Sequence, residues 1–157
     1  MPKTIGFYST KGPAGFCSNF YRAPIFLQGR EWKTSEHYYQ AQKARWPADY
    51  ENIWAAPTPK EAARIGRSIE IWGDWDKNKY AVMQEAVRAK FKQNKDLAEK
   101  LLATEDAYLV EDTIGSPRSD AVWGNGVAGE GSNWLGIILM EVRDELAAER
   151  RAKPEEL

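Results

Sequence analysis

The segment Thr34-Ser35-Glu36-His37-Tyr38-Tyr39-Gln40-Ala41-Gln42-Lys43 constrains this chain more than any other stretch. It opens on hydroxyl residues suited to capping a helix. Glu36 then falls in the first turn, where exposed backbone N–H groups favour negative charge. Continued as a helix to Lys43, the i, i+3, i+4, i+7 spacing puts Glu36, Tyr39, Gln40 and Lys43 on one face. That face carries an acid, a phenol, an amide and a cation, and almost nothing apolar. A helix that buries such a stripe builds a polar pocket, and one that exposes it is merely solvated. Two roles for Glu36 therefore stand at this point: a first-turn acid complementing the helix dipole, or a carboxylate aimed at a substrate.

Composition narrows the setting. A length of 157 residues fits one domain with a core large enough to need no disulfide staples. A hydrophobic fraction of 43% and a charged fraction of 29% are those of an ordinary soluble globular protein. The net charge of −1 gives no broad attraction to nucleic acid or anionic membranes. The single cysteine, Cys17, excludes an intramolecular disulfide and fits a reducing compartment. With Cys17 and His37 as the only soft ligands, no structural zinc site is expected. The first residues, Met1-Pro2-Lys3-Thr4-Ile5, lack the basic region and apolar run of a signal peptide, and no stretch reaches membrane-span length. The expected location is the cytoplasm.

Along the chain, Ile5–Tyr8 reads as a short strand followed by a Gly/Pro loop through Gly15. Ile25-Phe26-Leu27 and Arg30-Glu31-Trp32 read as a hairpin turning on Gln28-Gly29. Thr58, Pro59 and Glu61 make the clearest helix start, with a capping hydroxyl, a proline at the first helical position and a capping-box acid; that helix is expected to end near Gly66. Asp76 is placed as the cap of a longer helix bearing Tyr80, Met83, Val87 and Phe91. Asn94 restarts a short helix with Leu97, Leu101 and Leu102, and Tyr108–Glu111 looks like a strand. A Gly-rich stretch from Gly115 to Gly131 holds Trp123-Gly124-Asn125-Gly126. Asn133 then caps a long helix striped by Leu135, Ile138, Leu139, Val142 and Leu146, with a charged tail from Arg150 expected to fray. No repeat or low-complexity linker interrupts the chain. The pattern predicts a helix-rich α+β fold in one domain over residues 1–157.

Other candidate residues divide between functional and structural readings. His37, the only histidine, sits one position off the Glu36 face and reads as structural or as a hydrogen-bonding partner. Cys17 fits a buried small thiol. Asn19, after the Gly-rich loop, either makes a local turn or holds a polar ligand. Seven Trp and seven Tyr exceed the needs of a small core. Trp75 and Trp123, each beside an acid in flexible backbone, serve either as platforms for a flat base or as plugs over the core. The Gly124/Gly126 spacing is too weak for a phosphate loop. Lys43, Arg64 and Arg67 are candidate phosphate contacts of second rank, since Lys and Arg on helices are usually solvated.

Read together, these pieces resemble the NADAR (YbiA-like) N-glycosidase family over nearly the whole length. The resemblance rests on Phe16–Tyr21, Thr34–Lys43, Thr58–Ala63, Asp74-Trp75-Asp76 and Met83. It continues through Lys90–Asn94, Leu109-Val110-Glu111, Trp123–Gly126 and Gly131–Gly136, all in the family's order. It implies a helix-rich single domain that hydrolyses an N-glycosidic bond between a phosphorylated ribose and a nitrogenous base, with no cofactor and no metal. Two substrate classes are implied: riboflavin-pathway intermediates with a phosphoribosyl group on an aminated pyrimidine, and ADP-ribose on a nucleobase, including guanine in nucleic acid. The family's acidic residue carries over to Glu36 and its tryptophans to Trp75 and Trp123, with a looser match at Asp120. The family often has an arginine immediately before the Asp-Trp pair; Gly73 stands there in this chain.

The chemistry asks for the same residue types. Cleaving a ribosyl C–N bond passes through an oxocarbenium-like state that a carboxylate stabilises, while a second group activates water. Glu36 is the expected principal carboxylate, positioning water or stabilising the cation, assisted by Asp120 or, in reserve, Glu111. Trp75 and Trp123 would stack on the base or wall the pocket, with Asn19, Tyr39 and Lys43 holding ribose and phosphate. Asn125 and Asn133 complete the expected substrate-binding set. The competing reading is a non-catalytic module that binds ADP-ribose or a related nucleotide, and a third is a structural protein with a Trp-rich core.

Overall fold

The computed structural model describes residues 2–116 and 120–153, and among these it holds ten α-helices and β-strands besides a single 3-10 turn at Gly15–Cys17. In chain order they are β1 (Thr4–Phe7), β2 (Ile25–Leu27), β3 (Arg30–Trp32), α1 (Ser35–Gln42), α2 (Pro47–Ala55), α3 (Pro59–Ser68), α4 (Trp75–Gln93), α5 (Lys95–Leu102), β4 (Tyr108–Glu111) and α6 (Trp134–Ala152). The strands form two small sheets, β1 with β4 in parallel and β2 with β3 antiparallel. The fold is helix-rich α+β, as the sequence predicts. By its contacts the chain divides into two units: residues 19–93 form one, and the segments on either side of them form the other.

In the 19–93 unit, local chemistry sets each element. Gln28 and Gly29 both take positive φ, 53° and 76°, so the hairpin turns in the two-residue form whose twist matches the strands. The Thr34 hydroxyl accepts from the His37 N–H at 3.1 Å and starts α1. Thr58 does the same for Glu61 at 3.1 Å, ahead of Pro59 at the first position of α3. Trp32 anchors the core: it is fully buried, meets Tyr38 and Tyr50 edge-on at 5.3 and 5.4 Å, and donates its indole N–H to the Leu27 carbonyl. Ile25, Ala41, Ile53, Ala56, Ala62 and Ala86 pack around it.

Several boundaries differ from expectation. Helix α2 was not foreseen, because Trp46-Pro47 supplies no capping side chain to announce it. Helix α3 runs through Gly66 to Ser68, and Gly66 is instead a point of close helix contact. Asp76 is not a cap: α4 begins at Trp75, and Asp76 lies in its first turn, exposed and 3.4 Å from Lys79. β1 begins and ends one residue earlier than the predicted strand.

In the other unit, α6 packs on β4 so closely that a methyl on Gly136 would fall 2.1 Å from the Leu109 carbonyl oxygen. Arg143, buried on α6, donates to the Thr104 hydroxyl at 2.9 Å and to the Ala107 carbonyl at 2.8 Å, so its charge is spent on closing the turn after α5. Helix α6 runs to Ala152, two residues past Arg150; residues 154–157 of the charged tail lie outside the described residues, as do 117–119 of the Gly-rich stretch.

Candidate functional site

Helix α1 is buried nearly all round, so the polar stripe read from the sequence is enclosed rather than solvated. Glu36 and Gln40 are 8% and 6% exposed, low enough that each polar atom needs a protein or ligand partner. The i, i+4 spacing brings them together: Gln40 Nε2 donates to Glu36 Oε1 at 2.7 Å. Asn19 fixes the foot of this helix. Its Oδ1 accepts from the Ser35 hydroxyl at 2.8 Å, its carbonyl oxygen lies 3.3 Å from the Glu36 N–H it accepts, and its Nδ2 points at Met83 Sδ, 3.2 Å away. The Asn19 Oδ1 thus engages a side chain sixteen positions along the chain and makes no turn of its own.

Farther along the face, the Lys43 ammonium lies 5.5 Å from the Tyr39 ring centroid, and Tyr39 also meets Trp75, with ring centroids 5.2 Å apart and planes 58° apart. Both rings are buried, so Trp75 backs Tyr39. Burial lowers the Lys43 pKa, and the nearby cations Arg67 and Lys79 lower it further, while the Glu36 charge works against them. The Lys43 ammonium thus feels one carboxylate, Glu36, and two further cations, Arg67 and Lys79.

His37 points elsewhere and is fully buried. Its Nε2 bonds the Ala56 carbonyl at 3.0 Å and its Nδ1 meets the Thr34 hydroxyl at 2.8 Å. A carbonyl can only accept, so Nε2 carries the proton and Nδ1 takes the hydroxyl hydrogen, which gives a neutral ring with both nitrogens engaged.

The remaining candidates belong to the other unit, in and around segment 112–133. Asp120 Oδ1 accepts from the N–H groups of Val122 and Trp123, both at 2.8 Å, and so organises its own turn. Trp123, half-buried, meets Trp134 edge-on at 5.5 Å. Asn125 Oδ1 accepts from the Thr113 N–H at 2.8 Å. Asn133 sits before α6 in the left-handed region, φ 51°, and makes no capping bond. Its amide turns back to β4 instead, accepting from Glu111 N–H at 3.0 Å and donating to the Leu109 carbonyl at 2.9 Å. The Glu111 backbone is engaged on both sides, its carbonyl accepting from Asn125 N–H at 3.0 Å.

The structure thus brings Asn19, Glu36, Tyr39, Lys43 and Trp75 together in one unit. It gives Asp120, Asn125 and Asn133 backbone-organising contacts in the other. Sequence reasoning set Gln40 on the Glu36 face without giving it a role, and its i, i+4 offset was the available signal. Gly66 gave no signal except as a helix end. Among the described residues no group of three His, Cys, Asp or Glu side chains is placed to hold a metal ion, and no helix is long and apolar enough to cross a membrane.

Comparison with known proteins assigns the scaffold. The NADAR domain model matches residues 6–147. The N-glycosidase YbiA of Escherichia coli (strain K12) is 46% identical over 148 residues, covering 93% of this chain and 90% of that protein. A riboflavin biosynthesis protein of Vibrio vulnificus is 43% identical over 148 residues, covering 93% of this chain but 39% of its own length. The NMR structure of the E. coli protein YbiA superposes with a TM-score of 0.88 at 43% identity, covering 99% of this chain and 92% of that one. On both sequence and fold, this chain belongs to the NADAR domain family.

Proposed function

We propose that this chain hydrolyses the bond between C1′ of a phosphorylated ribose and the nitrogen of an aminated pyrimidine or related base, with Glu36 as its principal carboxylate. Family membership makes the chain a hydrolase of N-glycosidic bonds. The observation that carries the finer reading is the Glu36 carboxylate, buried yet held by the Gln40 amide and near enough to Lys43 to act on its charge. As the C–N bond lengthens, positive charge gathers on C1′ and the ring oxygen, and a fixed carboxylate stabilises it. Water adds to C1′, and the departing nitrogen takes up a proton. Seven residues of helix separate Glu36 from Lys43, about 10 Å along the axis. That separation sets an anion for the sugar and a cation for its phosphate on one rigid element.

Two observations narrow the substrate class. The Vibrio vulnificus relative is named for riboflavin biosynthesis, which supports an aminated pyrimidine. A net charge of −1 gives a long polyanion no general attraction, which favours a free nucleotide over ADP-ribosylated nucleic acid. The test is incubation with a 5′-phosphoribosylamino-pyrimidine, followed by chromatography for free base and ribose 5-phosphate. Release of base by the wild type, lost at least about a hundredfold in Glu36→Gln with the fold intact, is expected. Binding without release would make the chain a nucleotide-binding module, and wild-type turnover by Glu36→Gln would remove Glu36 from the chemistry.

A further inference from the structure

We infer that Gln40 is a positioning residue for Glu36, locked in place from the neighbouring helix by Gly66; the inference rests on the reading of Glu36 given above. Helices α1 and α3 meet at Gly66, where a methyl group would lie 2.0 Å from Gln40 Oε1 and 2.8 Å from its Cδ. The Gln40 amide therefore occupies the space that any side chain at position 66 would need. Glycine in a helix costs up to about 1 kcal/mol relative to alanine, and close packing of this kind is a reason to carry it.

The orientation of the amide is fixed by chemistry on both sides. Nε2 faces the Glu36 carboxylate at 2.7 Å, while Oε1 is buried against Gly66 with no hydrogen-bond partner among the described residues. Turning the amide over would set two acceptors against each other and leave the NH2 facing a Cα that accepts nothing. A buried carbonyl without a classical partner is unfavourable, and the C–H of Gly66 is at best a weak donor to it. Leucine would fill much the same volume with no such orphan. Packing alone therefore gives no reason for glutamine here, whereas one N–H delivered to a carboxylate does. Hydrogen bonding to the ionised form of a carboxylate favours that form. An amide does not titrate, so the support is the same at every working pH.

The experiment is steady-state kinetics from pH 5 to 9 with a 5′-phosphoribosylamino-pyrimidine, each variant checked by circular-dichroism melting. For Gln40→Leu, kcat is expected to fall at least about tenfold with KM within about threefold, and the acidic limb of the kcat profile to move to higher pH. Gln40→Glu keeps the shape and places a second acid beside Glu36, so its acidic limb moves up further; it serves if the leucine variant does not fold. Gly66→Ala is expected to act like Gln40→Leu, yet to add nothing to Gln40→Ala, where the colliding amide is gone. Unchanged kcat and an unmoved acidic limb in Gln40→Leu, with Glu36→Gln inactive, would overturn this inference and leave the role of Glu36 standing. An active Glu36→Gln would overturn both.

Discussion

The imidazole Nε2 of His37 lies 3.0 Å from the carbonyl oxygen of Ala56, the residue that closes α2, so the only histidine of the chain satisfies a helix-end acceptor. Burial holds its pKa below the ordinary 6.5, the bond to Ala56 opposing and the charges of Lys33 and Arg22 adding to the depression. As pH falls, the unfolded chain therefore takes up the proton first. The stability tied to this ring is complete above about pH 6.5 and is lost as pH drops through that value towards the lower folded pKa. Melting temperatures read between pH 8 and pH 5 should fall along that course. His37→Gln, which can still donate to Ala56 but does not titrate, should flatten the dependence and cost about 1–2 kcal/mol at neutral pH. A pH dependence unchanged in His37→Gln would exclude this ring as its source.

A similar backward reach ties α6 to β4. The Asn133 amide bonds main-chain groups of Glu111 and Leu109, and its left-handed backbone suits asparagine among non-glycine residues. Asn133→Ala removes both bonds, and a third to the Tyr108 hydroxyl at 3.2 Å, and keeps an unfavourable φ, so a loss of about 2–3 kcal/mol in denaturant unfolding is expected. Asn133→Gly relieves the backbone while losing the same bonds, and should be the milder change. If the two variants unfold alike, backbone strain has no part in the effect.

How legible this molecule is in its sequence depends on how local each determinant is. Thr34 and Thr58 sit three residues from the N–H groups they cap, so α1 and α3 were readable at their starts. The hairpin was readable from Gln28-Gly29, and the clustering of Glu36, Tyr39, Gln40 and Lys43 from helical spacing alone. The pairing of β1 with β4 joins Ile5 to Leu109 and leaves no trace within either segment. Helix α2 lacks a capping side chain, and Gly66 reads as a helix end until α1 is laid beside it. Asn133 was readable as the residue before a helix, but the direction of its amide depends on a strand more than twenty positions earlier. A single chain cannot show that Trp75 spends its ring on Tyr39.

Asp120 allows loop organisation to be separated from chemistry. Its Oδ1 holds the N–H groups of Val122 and Trp123, and asparagine offers an acceptor oxygen in the same position. Asp120→Asn should leave turnover within about threefold of wild type, whereas Asp120→Ala frees two N–H groups and should lower the melting temperature. A loss of about a hundredfold in kcat for Asp120→Asn, with the melt unchanged, would instead place this carboxylate in the reaction.

Lys43 should be read through KM. Its ammonium is drawn below its usual pKa by burial and by Arg67 and Lys79, and is supported by Glu36. An anionic phosphate arriving beside three cations would relieve their mutual repulsion, so most of the benefit is realised on binding. Lys43→Met keeps the aliphatic stem against Tyr39 and removes the charge. For a 5′-phosphoribosylamino-pyrimidine, KM should rise about tenfold or more with kcat little changed; for the dephosphorylated ribosylamino analogue, the same substitution should alter KM less than about twofold. The wild-type preference for the phosphorylated substrate should also decline at a lower alkaline pH than an ordinary lysine would give, because this one loses its proton earlier. Equal KM changes on the two substrates would show that Lys43 supports the site by packing and that phosphate is held elsewhere.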